Sequence, residues 1–188
     1  MSRARVLLTA VLTTLLAVSV APEARGAAGD PFQPDGWIKL CGQSLGCKID
    51  PLPHPWLGKD IYNTTGRKQT VSVDIDNGEG VRFWITVQND GTQSNTVEVV
   101  GCAGNRNFEV NRVLLGKHKD QDAGATDLTK KYKQGTLTFD LNAGASVVFT
   151  LNIITRYGVG KTYSCVTALH SANATGAQDA VVAKMTIF

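Results

Sequence analysis

The chain of 188 residues is poor in the residue types that carry most protein chemistry. It has three histidines, His54, His118 and His170, and no two stand at a metal-ligand spacing. No acid–histidine pair falls where spacing would set it beside a serine, so nothing points to a nucleophilic triad. There is no Cys-x-x-Cys, which argues against a zinc site built from the four cysteines. No apolar run reaches the ~20 residues of a comfortable membrane span; the longest, residues 6–21, falls short. Proline is almost confined to one stretch. No amphipathic helix of useful length is visible. These absences leave no metal or cofactor set, no catalytic residues and no membrane anchor to argue from.

A single sign of charge is missing too. Removing residues 1–28 takes three of the 19 basic residues and one of the 16 acidic ones, leaving 16 against 15. A chain so nearly neutral gives no electrostatic case for nucleic acid. The removal itself is what the first residues imply. Arg3 and Arg5 precede the apolar run, and small residues follow around Ala24, Gly26 and Ala28. Those are the parts of a secretory signal peptide, so the mature protein is expected outside the cell and free of the membrane.

Export makes oxidised cysteines the expectation. Cys41 and Cys47 bracket one short loop, while Cys102 and Cys165 each lie in or beside a strand-like run. Pairing Cys41 with Cys47 and Cys102 with Cys165 is favoured, because it needs no contact between the two regions.

Residues 29–66 form an extended N-terminal arm. They hold five of the six prolines together with Trp37, Trp56 and Tyr62. Repeated proline and glycine forbid long ladders there, so short strands at residues 37–40 and 60–62 are the most expected. From residue 67 the pattern turns to period two. Val71, Val73 and Ile75 share a face, and Asp76-Asn77-Gly78 follows as a hairpin signal. Val81, Phe83, Ile85 and Val87 then alternate with Arg82, Trp84, Thr86 and Gln88. A turn at Asn89-Asp90-Gly91 leads to a neighbouring strand at 96–100. Further strands are expected at 108–115, 137–141, 147–153, 163–169 and 181–187. A polar interval over 116–133 carries a short turn of helix near 127–132. The reading is all-β: an immunoglobulin-like antiparallel sandwich of about seven or eight strands, residues 67–188, behind a Pro/Trp-rich arm.

Several segments resemble a known class. FWITVQNDGT, LTFDLNAGASVVFTLNI and DAVVAKMTI, with PDGWIK and DIYNTTGRKQT in the arm, are similar to the immunoglobulin-like repeats of bacterial exported proteins, of the cell-adhesion-related (CARDB) type. The resemblance spans residues 34–188. It implies a non-catalytic secreted or surface module, protein-binding or structural in the cell envelope. Tyr163, two residues before Cys165, also echoes the immunoglobulin tyrosine corner. Cys102 is out of step with it: Val97 and Val99 read as the core pair, which puts Cys102 on the other phase. A bulge at Gly101 or a bridge between neighbouring strands would each resolve the conflict.

Trp84 resists a purely structural reading. It stands among Arg82, Thr86 and Gln88 on the polar face of its strand. Two alternatives stay open: the arm, with Trp56, covers it, or Trp84, Arg82, Gln88 and Trp56 form an open ligand face. The second makes a carbohydrate-binding module of the chain, with an envelope polysaccharide as partner in place of a protein. The oxygen-rich string Asp74, Asp76, Asn77 and Glu79 lacks the full calcium-loop pattern and reads as a polar turn, and Asp120, Asp122 and Asp127 form a weaker set of the same kind. Asn63-Thr64-Thr65 and Asn173-Ala174-Thr175 are glycosylation sequons, relevant in a glycosylating host.

Overall fold

Alternation of apolar and polar residues builds nine strands and one short helix in the computed structural model, which describes residues 30–42, 54–117 and 124–188. The expected signal peptide, Cys47, His118, Asp120 and Asp122 lie outside the described residues. The strands are β1 Pro34–Gly42, β2 Thr70–Ile75, β3 Gly80–Asn89, β4 Asn95–Val100, β5 Phe108–Leu115, β6 Leu137–Leu141, β7 Ser146–Thr155, β8 Thr162–Ser171 and β9 Gln178–Ile187; helix α1 is Thr129–Gln134. They form two sheets, one ordered β1-β3-β7-β5 and the other β2-β9-β8-β4-β6. The architecture is an all-β, immunoglobulin-like sandwich. Its single core lies between the sheets, where Val81, Phe83, Ile85 and Val87 of β3 are fully buried against Leu169, Val181, Met185 and others.

The chain changes sheet at every connection from β1 to β8, and only β8–β9 is a hairpin within one sheet. Two turns read from sequence as joining neighbouring strands are therefore turns of another kind. Asp76-Asn77-Gly78 and Asn89-Asp90-Gly91 carry the chain across the core instead of joining neighbours, and residues 142–144 between β6 and β7 do the same. A tight reversal needs the same residues in both cases, so local sequence cannot tell a hairpin from a crossing. Asn89 shows what decides it. Its side-chain amide donates to the carbonyls of Gln93 (2.7 Å) and Leu141 (3.0 Å), fixing the turn against the opposite sheet. At Gly91 any Cβ would overlap the Pro31 carbonyl, so the close approach of residues 31–33 requires glycine there.

Two further expectations change. Residues 37–40 grow into the nine-residue β1, paired antiparallel with β3 from Pro34↔Asn89 to Gly42↔Arg82, with a register shift between Leu40 and Gly42. Pro34 opens the strand and Gly42 ends it, so neither breaks the ladder. The sandwich is also not wholly antiparallel: β2 runs parallel to β9, from Thr70↔Val182 to Ile75↔Ile187. Period-two patterning sets which face is buried and is silent on strand direction.

The Cys102–Cys165 bridge exists, with its Cα atoms 5.3 Å apart. It ties the segment just past β4 to β8, the neighbour of β4 in the same sheet, on the core side, where Cys165 is fully buried. It is thus not the inter-sheet staple of immunoglobulin domains. The phase conflict disappears because β4 ends at Val100, and Gly101 leaves the ladder to donate its N–H to the Tyr132 carbonyl (3.3 Å). Tyr163 stacks on Phe108 (5.2 Å between centroids), and its hydroxyl accepts from Gly104 N–H (3.1 Å), just beyond Cys102. Cys41 is disulfide-bonded as well.

Helix α1 exists to deliver one side chain. Tyr132 is fully buried, packs edge-on against Phe149 (5.8 Å) and shares a 2.6 Å hydrogen bond with the Thr167 hydroxyl. Its ring occupies the space a side chain at residue 101 would need, since any Cβ there would overlap it. Gly101→Ala is accordingly expected to cost about 1–3 kcal/mol of stability, the range for overpacking a filled core. Urea unfolding measures it, and an unchanged midpoint would contradict this packing role for Gly101.

Candidate functional site: a tryptophan and lysine face

The outward side of the four-stranded sheet gathers the site. Alternation along β1 turns Gly36, Ile38 and Leu40 to the core and Asp35, Trp37 and Lys39 outward. Register then places Asp35 beside Gln88, Trp37 beside Thr86, and Lys39 beside Trp84. Beyond β3, Trp84 neighbours Thr150 of β7, which in turn neighbours Leu114 of β5. Thr86, Thr150 and Leu114 are buried, so this outer face is largely covered.

Part of the cover comes from residues 54–62, which run along the free edge of β1. Leu57 pairs with Ile38 through two backbone hydrogen bonds (2.8 and 2.9 Å). That pairing brings Trp56 to Trp37, edge to face with centroids 6.4 Å apart. All three tryptophans of the chain are half-buried here. Each also has a lysine over its ring: Lys59 over Trp37 (5.3 Å), Lys117 over Trp56 (5.4 Å) and over Trp84 (6.0 Å), and Lys39 over Trp84 (5.9 Å). Contacts of this kind at exposed positions contribute about 0.5–1 kcal/mol each.

Of the residues expected on a ligand face, Trp84, Trp56 and Gln88 are half-buried on this side of the sheet. Arg82 is not presented. It is only 3% exposed, and its Nε donates to Asn152 Oδ1 at 2.7 Å. The three lysines and Trp37 are the members that sequence reading missed. Lys39 was legible, two residues beyond Trp37 on the same phase. Lys59 and Lys117 come from loops, and their placement depends on tertiary structure alone.

Two buried carboxylates support the face from one side. Asp35 Oδ2 accepts from the indole N–H of Trp37 and from the backbone N–H of Asp60 (3.2 Å), which fixes the ring. Asp179 of β9 lies deeper. It accepts from Gly36 N–H (2.6 Å), Asn63 N–H (3.1 Å) and the Gln69 amide (2.9 Å), and Asn63 Nδ2 in turn donates to Gln69 Oε1 (2.6 Å). Asn63, the first sequon residue, is thereby locked in the interior, whereas Asn173 is exposed.

Elsewhere the calcium-like string is a turn held by Thr155, whose hydroxyl donates to the carbonyls of Asp76 and Glu79 (both 3.0 Å). Among the described residues no group of three or more His, Cys, Asp or Glu converges on a metal-sized site. A polar cleft of about 270 Å³ is lined by residues 94–96, 140–142 and Asn173. Thr96 donates to Asp140 (2.6 Å) and Ser94 to Asn142 (3.1 Å), so its groups already satisfy one another. Gly42-Gln43-Ser44-Leu45-Gly46 does spell the letters of a serine nucleophile elbow. The pattern gains meaning only at a strand-to-helix turn with a histidine at hand, and Ser44 lies outside the described residues.

No protein-family model matches the chain, and no curated protein is similar to it in sequence. Solved structures do share parts of its shape. One is a family 123 glycoside hydrolase from Clostridium perfringens (TM-score 0.40, 8% identity, 64% of this chain and 23% of that one). Another is the VesB protease of Vibrio cholerae (TM-score 0.36, 11% identity, 63% and 30%). A third is PapD-like domain 7 of human CEP192 (TM-score 0.34, 11% identity, 63% and 79%). The chain spans less than a third of the first two. None of them lends it an activity.

The buried acids set a pH dependence. Burial pushes the Asp179 carboxyl up to about 7 and Asp35 up to about 6, against the donors that favour their charged forms. Unfolded, both titrate near the ordinary value of about 4. Between those limits the folded chain therefore binds more protons than the unfolded one, and stability falls as pH rises. The thermal midpoint is expected to drop between about pH 5 and about pH 8, and Asp179→Asn to flatten that slope while lowering the midpoint throughout. A slope unchanged by the substitution would contradict this assignment.

Proposed function

We propose that the chain is an exported, non-catalytic β-sandwich module that holds a component of the cell envelope through the tryptophan and lysine face. The observation that carries this is the placing of all three tryptophans, none fully buried, on one face, each under a lysine. Large flat rings with limited rotamer freedom dominate the energetics of recognition surfaces, and a fold that needed them only for its core would bury them. The CARDB-like segments of the sequence support the same class of role, as a protein-binding or structural module. A disulfide-bonded sandwich, with no described helix long and apolar enough to cross a membrane, is compatible with work outside the cytoplasm.

Sugar binding is the second reading. What favours it is the gathering of three indole rings on one face, the arrangement on which pyranose rings stack.

The test is co-sedimentation of the purified protein with isolated envelope material of the producing cell. Trp56→Ala is expected to weaken binding about tenfold or more, as truncation of an aromatic anchor does, with an unchanged circular dichroism spectrum. Protease treatment of the material would abolish binding to a protein partner, and periodate oxidation binding to a glycan. Binding indifferent to Trp56→Ala would overturn the proposal.

A further inference from the structure

We propose that the partner of this face is an anionic polysaccharide, a polymer of acidic sugars such as uronic acids; this rests on the reading of the face as a binding surface. The lysines carry the inference. Lys39, Lys59 and Lys117 converge on three indole rings, and none has a carboxylate within ion-pair distance among the described residues. Elsewhere the fold does pair a surface cation, as Arg156 with Glu109. Of the acids on that side, Asp35 is buried and holds Trp37, Asp90 accepts from the Tyr62 hydroxyl, and Asp60 is exposed. The three ammonium groups lie over the rings themselves, where a partner would rest. Such a patch selects and steers a partner of opposite sign.

The geometry suits a sugar carboxylate in particular. Each ammonium rests over an indole face, held by no more than a weak cation–π contact. A pyranose ring can displace the flexible lysine stem and stack its C–H face on the indole. The ammonium, swung to the rim, then meets the carboxylate on the same sugar. Repetition of tryptophan with lysine matches a polymer that repeats an apolar face with a charge. An acidic peptide would use other features. Strand addition needs a free edge, but Leu57 occupies the edge of β1 at Ile38 and Asp127 bridges that of β5 at Leu114.

Tryptophan fluorescence titration with polygalacturonate, dextran and polyglutamate tests this. Polygalacturonate is expected to bind, to weaken about tenfold or more between about 0.05 and 0.5 M salt as screening shortens, and to be lost in the combined Lys39→Gln, Lys59→Gln, Lys117→Gln variant. That variant should keep its circular dichroism spectrum, its thermal midpoint falling only by what the weak cation–π contacts contribute. Equal binding of dextran would overturn the anionic part, and equal binding of polyglutamate the choice of a polysaccharide. Polygalacturonate that does not bind, or binds the lysine variant as well as the wild type, would overturn the inference outright. If envelope material is still held and released by Trp56→Ala, only the ligand class is wrong. If Trp56→Ala leaves envelope binding unchanged, the face itself is wrong.

Discussion

One buried carboxylate holds the molecule's looser parts to its core. Asp179 takes hydrogen bonds from β1 through Gly36, and from the loop before β2 through Asn63 and Gln69, while standing on β9 itself. A lone charge in such a place would cost several kcal/mol, and only donors aimed at both oxygens make it tolerable. The consequence is positional. With β1 fixed across from β9, the outer side of β1 presents Trp37 and Lys39. With Asn63 fixed, residues 54–62 are held at one end by Ile38 and at the other by Asp179, so Trp56 and Lys59 have a defined place. The surface cluster thus depends on an interaction on the opposite side of the strand.

The route of the chain follows a similar economy. Because seven consecutive connections cross between the sheets, neighbours in sequence meet across the core instead of side by side. Neighbouring strands of one sheet are therefore far apart in the chain, as β2 and β9 are. Such long-range pairing is slow to form. The Cys102–Cys165 bridge, with a sequence separation of 63, shortens that search for β4 and β8.

Much of the sandwich was legible because the alternation that marks a half-buried strand is imposed by the core itself. Eight of the nine strands lie where period two places them, and the four apolar residues predicted inward on β3 are all fully buried. What could not be read is whatever depends on a partner far away in sequence. Arg82 and Thr86 have the pattern of exposed residues and are covered by other parts of the chain. Asp179 lies two residues ahead of the strand expected at 181–187, yet it is interior because three distant residues donate to it. Only residues 37–40 of β1 were legible, and its extension to Pro34–Gly42 depends on pairing with β3. The face was half legible. Trp84 and Trp56 stood out by residue type, whereas the lysines acquired meaning only when the fold set them over the rings.

The account stands or falls on whether this face, and not the opposite end of the sandwich, is where the protein meets its partner. The competing surface is real: Tyr157, Val159 and Phe188 are 72%, 70% and 63% exposed. Hydroxyl-radical footprinting with and without isolated envelope material, read out by mass spectrometry, compares the two directly. Protection of Trp37, Trp56 and Trp84 with unchanged labelling of Tyr157 and Phe188 is the predicted result. Protection of Tyr157 and Phe188 with the three tryptophans unchanged would contradict it.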